Sequence, residues 1–339
     1  MFSNLKLKLS MMGSLAAIIA ITTLAATVVL SMAGASLTWV FVFIVPFFAL
    51  QWYLGPKLVE KGYKVEEAGE DEYPRYHELV EELAEKSGIE KPSVMVADVE
   101  MPNAFAYGNY FTGDKVAVTK GLLKQLEWEE VEAVVGHELG HIAHDDSSYM
   151  VFLSILPAIF MIVGRMFFWS SLFGGGGDDE GQLPMIAIAA ASMLIYFVLQ
   201  MTIMHFSRMR EYYADRHSSE VVEEGDRKLA EGLAKINESM SDLKNQKKNK
   251  QKKGVSISRR GGRRPGSGSR GFGGVGAVGL SMKPLLISDP DTAGSGGGAR
   301  SDMQLVEKYA GKELSFGDRV REFFSSHPNI KKRLEAMGF

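Results

Sequence analysis

His137-Glu138-Leu139-Gly140-His141 is the segment of this chain whose residue types and spacing could do chemistry. On a helix, positions i and i+4 share a face, so both imidazoles can reach a single ion. Glu138 adjoins the first histidine and can take a proton from a water molecule held by that ion. The chain has no cysteine, so no thiolate can complete the site and no disulfide can brace it. A catalytic zinc takes three protein ligands and leaves a fourth position open. The third must then be a histidine or a carboxylate. Arg210-Glu211-Tyr212-Tyr213-Ala214-Asp215 supplies a candidate. Glu211 and Asp215 share a helical face, which suits Glu211 as ligand and Asp215 as acceptor for a ligand imidazole. Spacing alone fits a solvated acidic face equally well, and a helix with two merely packed histidines would also satisfy the first motif. His144 reads as a polar group at a membrane boundary, and His77 and His217 as surface histidines.

The motif needs a helix, and Glu127 to His144 has the period, with Val134, Val135, Leu139 and Ile142 to pack it and acids in its first turns. Tyr73–Lys86 predicts an amphipathic helix, with Tyr76, Leu79, Val80 and Leu83 on one face and Gly88 as the stop. Ser93–Val99 and Lys115–Thr119 predict strands, Pro102–Tyr110 a strand or extended edge, and Gly113-Asp114 a turn. Residues 55–148 therefore read as an α+β unit. Residues 207–240 predict two polar amphipathic helices, and a last helical pair is expected near Leu314–Phe324 and Asn329–Met337. Between them, 243–300 is rich in Lys, Arg, Gly and Ser. It has too few large apolar residues to offset ordering entropy, and most of it is expected to be disordered. There is no internal repeat.

In a chain of 339 residues, 46% of them hydrophobic, the apolar residues cluster in long blocks. A bilayer core needs about 20 apolar helical residues. Met11–Met32, Leu37–Leu54, Tyr149–Trp169 and Leu183–Phe206 reach or nearly reach that length. Read as a cleaved leader, the first run is too long, and a second apolar run follows at once. Lys6, Lys8, Lys57, Lys61, Lys64, Arg208 and Arg210 flank one side of the spans. The turns Ala33–Ser36 and Ser170–Gln182 carry no Lys or Arg. Both termini and the 55–148 unit are thus expected on the cytoplasmic face of the cell membrane. Net charge is −3 and identifies no partner.

Several segments in order carry a family resemblance: a two-span start, Asn103-Ala104-Phe105-Ala106, Thr119-Lys120-Gly121-Leu122-Leu123, the His-Glu-Leu-Gly-His motif, two further apolar segments, Arg210–Asp215, and Ser326-His327-Pro328 with Arg333-Leu334. The chain resembles the HtpX family of heat-shock membrane zinc metalloproteases nearly throughout, except in 243–300. The resemblance implies a small gluzincin-like protease domain, mainly helical α+β, held by four spans. It implies one zinc on His137, His141 and Glu211, with Glu138 catalytic and Asp215 behind a ligand. The substrates it implies are misfolded or damaged membrane proteins, cut from the cytoplasmic side as quality control. Asn103, Ala104 and Phe105 would lie on an edge strand of the cleft, where a substrate adds a strand. Tyr212, Tyr213, His327 and Arg333 are candidate oxyanion or substrate contacts. His327-Pro328 reads better as a cap on the last helix.

The domains expected are a first hairpin, 1–54; a catalytic segment with the zinc-motif helix, 55–148; a second hairpin, 149–206; a catalytic segment with the third ligand, 207–242; the insert, 243–300; and closing helices, 301–339. The insert reads as a solvated tether that can also touch anionic lipid headgroups or undergo self-cleavage. Its Arg-Gly composition also occurs in RNA binders, but nucleic acid is not expected as a partner. A CaaX-type prenyl-protein protease shares the zinc motif but has more spans. An intact Glu138 speaks against a non-catalytic adaptor, and the lack of paired intramembrane charges against a transporter.

Overall fold

A computed structural model describes residues 45–144, 157, 160–161, 163–172, 182–258 and 302–339. Helix α1 (Val45–Tyr63) leads into strand β1 (Val65–Glu67) and helix α2 (Pro74–Ser87). Then come β2 (Ser93–Ala97), β3 (Ala104–Asn109), β4 (Gly113–Thr119), α3 (Lys120–Gln125) and α4 (Trp128–Ala143). Helices α5 (Gln182–Val221), α6 (Gly225–Ser258), α7 (Asp302–Ala310), α8 (Phe316–Phe323) and α9 (Ile330–Met337) complete the order. The described residues are mainly helical with one mixed sheet.

The sheet order is β1-β2-β4-β3, with β2 and β4 parallel and the other two pairs antiparallel. Side chains alternate between its faces as a pleat requires. Val94, Val96, Ala104, Ala106, Val116 and Val118 enter the main core with α2, α4, α6, α7 and α9. Met95, Ala97, Phe105, Tyr107 and Ala117 turn the other way, against Val59 and Tyr63 of α1. Pro74 at its first turn pre-organises α2, and Gly88 ends it at φ 69°, the left-handed region that a glycine adopts without steric cost. Tyr76 on α2 is buried and its hydroxyl donates to the Val116 carbonyl. Helix α4 begins with a capping box, Glu127 against Glu130.

The structure differs from the sequence expectations at several points. Helix α5 runs unbroken to Val221, where the sequence predicts a boundary at 206. Beyond Pro184 it contains no Gly or Pro, so the change from apolar to polar residues is a change of surroundings and not a break. Helix α6 continues to Ser258, well into the stretch expected to be disordered from 243. Lys and Gln, frequent in that stretch, have high helix propensity. Helix α1 passes Leu54 and Pro56 to reach Tyr63. Strand β1 and helices α3 and α7 have no counterpart among the expected elements, being short and without a clear period. Gly113-Asp114 opens β4 instead of forming the turn itself.

Of the four apolar stretches, Met11–Met32 lies outside the described residues, and Leu37–Leu54 and Tyr149–Trp169 lie partly outside them. Among the described residues one helix, Met185–Val221, is long and apolar enough to cross a membrane.

Candidate metal centre

Two helices carry the centre. On α4, His137 and His141 are one turn apart, with ring centroids 4.9 Å apart. On α5, Glu211 comes to meet them. His137 Nε2 lies 3.8 Å from Glu211 Oε2, and His141 Nε2 lies 3.6 Å from Glu211 Oε1. One ligand atom from each residue falls within 4.8 Å of the other two. With metal–ligand bonds of about 2.1 Å, a tetrahedral zinc site needs ligand atoms about 3.4 Å apart. Two imidazole nitrogens and a carboxylate whose atoms lie 3.6–3.8 Å apart across the two helices are close to what a zinc ion needs, and would leave a fourth position for water.

The helices meet this closely because α4 presents glycine where α5 crosses. A Cβ on Gly140 would come within 2.9 Å of His217 Cβ and 3.2 Å of Ala214 Cα. A turn earlier, one on Gly136 would meet Val222 at 3.0 Å. Ser218 adds a hydrogen bond of 2.7 Å to the Ala133 carbonyl across the same interface.

Behind the ligands lies a charged layer. His137 Nδ1 is 3.0 Å from Asp215 Oδ1, so its N–H donates there and Nε2 keeps its lone pair for a metal. Arg333 on α9 grips Asp215 with both Nε, at 3.0 Å, and Nη2, while its Nη1 is 3.3 Å from Glu211 Oε2. Burial opposes the Arg333 charge most, yet Asp215 and Glu211 outweigh it and raise its pKa above the ordinary guanidinium value. His327 Nδ1 sits 3.1 Å from Glu211 Oε2. His327, Arg333, Asp215 and Glu211 are all buried.

Glu138 faces the sheet. Its Oε2 accepts a 2.9 Å hydrogen bond from the Ala106 N–H. Strand β3 is one of the two edge strands of the sheet. The Thr119 N–H donates to the Asn103 carbonyl, so residues 103, 105, 107 and 109 face β4. Ala104, Ala106 and Gly108 therefore turn their main-chain groups outward, with Glu138 opposite the middle one. A peptide laid along this edge as an added strand would pass the metal group.

Other expected site residues fall elsewhere. Asn103 is buried and its N–H donates to Thr119 Oγ1 at 3.0 Å, a structural role. The Phe105 ring packs on Tyr63, on the α1 face of the sheet. Arg333 is buried and pairs with two carboxylates, Glu211 and Asp215. His327 does not cap α9. That cap is Asn329, whose side chain accepts from the Lys331 N–H. The Tyr212 hydroxyl lies in the field of Glu322, Asp215 and Arg333. Tyr213 packs edge-on against His144. His217 is half-buried, and its Nε2–H donates to Ser87 Oγ, whose own proton goes to the Leu83 carbonyl. His77 is likewise half-buried and donates to the Ala68 carbonyl at 2.7 Å.

Sequence reasoning missed the Ala106 N–H, because backbone donors carry no residue signature. It missed the second helix's approach at Gly136 and Gly140, although glycine one turn apart in a helix was a visible signal.

The model of peptidase family M48 matches residues 70–338. A protein named Protease HtpX homolog from Aeropyrum pernix is 41% identical over 189 residues, 55% of this chain and 59% of that protein. One of the same name from Methanothermobacter thermautotrophicus is 41% identical over 187 residues, 55% of this chain and 68% of its own length. The chain thus matches three-fifths to two-thirds of these relatives. A crystal structure of S. mikatae Ste24p aligns at TM-score 0.46 and 17% identity, over 98% of this chain and 66% of that one.

Proposed function

Because the chain belongs to peptidase family M48, we propose that it is a membrane-embedded zinc endopeptidase that cuts misfolded or damaged membrane proteins from the cytoplasmic side. The observation that carries this reading is the convergence of His137, His141 and Glu211 within 4.8 Å, with Glu138 beside an open strand edge. Zinc, when bound there, supplies a Lewis acid and lowers the pKa of water to about 7.

The chain's own groups do the rest. An extended peptide added along the outer edge of β3 would bond by main chain with little regard to side chains, which suits varied unfolded substrates, and would take over the Ala106 N–H now held by Glu138. Glu138 takes the proton of the attacking water and returns it to the leaving amine. Asp215 holds His137 in one tautomer, and Arg333 holds Asp215. The apolar stretch of α5 supports placement in a bilayer, and the Lys and Arg flanks support a cytoplasmic site.

The test is cleavage of a model membrane protein by the purified full chain, wild type against Glu138→Gln and Glu211→Ala, with zinc measured in each. Glu138→Gln is expected to keep about one zinc per chain and lose about 100- to 10,000-fold in rate. Glu211→Ala is expected to lose zinc. Equal hydrolysis by wild type and Glu138→Gln would remove the protease assignment, and full zinc retention in Glu211→Ala the ligand assignment.

A further inference from the structure

Helix α8 packs on the protein by its polar side and turns its apolar side outward. Phe316, Val320, Phe323 and Phe324 are 83%, 39%, 51% and 49% exposed. They stand at i, i+4, i+7 and i+8, one stripe of a helix. On the opposite side Glu322 is buried, accepting from the Asn329 N–H and pairing with Lys332 at 2.8 Å. A surface helix of a soluble domain does the reverse. Arg319 and Arg321 are exposed and flank the stripe on its two sides.

The stripe is continuous with the apolar surface of α5. The Phe324 ring lies 6.0 Å from Phe197. Around Phe197, itself 44% exposed, Leu194 and Val198 are exposed too. Arg208 of α5 fixes the arrangement by donating to the carbonyls of Glu322, Phe323 and Ser325. This caps the C-terminal end of α8 with a cation.

We propose that α8 is an interfacial helix, lying in the headgroup layer of a phospholipid bilayer with Phe316, Val320 and Phe323 directed at the acyl chains. The apolar stripe, its basic flanks and its junction with α5 are what a helix at that depth requires. The proposal rests on the membrane reading of α5 given above. It adds a second contact with lipid, from the segment that leads directly to His327 and Arg333.

The absence of native cysteine makes the test direct. Single cysteines at Val320 on α8, Leu194 on α5 and Glu90 on the exposed α2–β2 connection would carry an environment-sensitive fluorophore. The full chain would be placed in phosphatidylcholine–phosphatidylglycerol vesicles holding a lipid with a nitroxide near the glycerol end of its acyl chain. Quenching at V320C is expected to equal or exceed that at L194C, which lies near mid-bilayer and away from the label, and to exceed that at E90C by about threefold or more, since such helices sink about 5–10 Å. Quenching at L194C with V320C no higher than E90C would overturn the interfacial helix and leave the membrane reading intact. No excess at either position would overturn both. A blue-shifted, unquenched V320C would mean that protein, such as a second copy, covers the stripe, and would also overturn the proposal.

Discussion

Arg333 decides whether the metal ligands stay in register. Its guanidinium spans Asp215 and Glu211, linking the acceptor behind one ligand to the other ligand itself. Only a planar fork with several donors makes both contacts. Arg333→Lys keeps the charge but cannot hold both carboxylates. We predict that zinc affinity falls about 10- to 100-fold, the usual effect of losing such support, in a titration against a chromophoric chelator. An unchanged affinity would mean that α4 and α5 alone fix the site. The ligand histidines and Glu138 were legible in the sequence because their chemistry depends on local spacing. Arg333 was visible as a residue but not in this role, because nothing local shows that α9 folds back more than a hundred residues onto Asp215.

At the scale of elements, the centre depends on how α4 sits against α5 and α6. Gly140→Ala pushes a methyl into His217 and Ala214. Overpacking of this kind costs about 1–3 kcal/mol. It would also separate Glu211 from the histidines, so zinc occupancy should fall with stability. A destabilised chain that binds zinc normally would show that the interface relaxes elsewhere.

The other end of α4 is held by Lys235 of α6, which pairs with Glu130 at 2.7 Å and with Asp302 at 3.1 Å. Burial raises the Glu130 pKa, and Lys235 and the Glu127 backbone pull it back incompletely. Lys235→Met leaves that acid buried without its cation, a loss of about 3–5 kcal/mol. A carboxyl whose folded pKa lies above its unfolded value is least costly when protonated, so its penalty appears as pH rises through the folded pKa. The Lys235→Met deficit should therefore be larger at about pH 8 than at about pH 5, and Glu130→Gln should relieve it. Denaturation at both pH values with no difference would rule out this account. Strands β2 to β4 and helix α2, with their periods and stops, were readable from sequence. Helix α7, nine residues of mixed type, becomes a helix through contacts such as Tyr309 to Glu238, which no local pattern announces.

For the whole molecule, the proposed topology puts α5 across the bilayer with its polar end in the cytoplasm. A reporter enzyme fused after Phe339 is expected to be active only when it requires the cytoplasm. A signal from an externally active reporter would reverse the orientation. Composition reveals apolar length but not continuity, which is why the sequence points to a boundary at 206 where the structure shows none.

That continuity has a mechanical side. In the proposed topology the rod that meets lipid at the exposed Leu194 and Phe197 is the same rod that carries Glu211, while His137 and His141 ride on another. From Phe206 to Glu211 the rise is about 7.5 Å, a turn and a half of helix with no hinge. Tilting or sliding the rod to suit a thicker or thinner membrane moves one jaw of a three-point chuck against the other two. If α5 spans the bilayer as proposed, bilayer thickness would act as a setting on the grip of the ion.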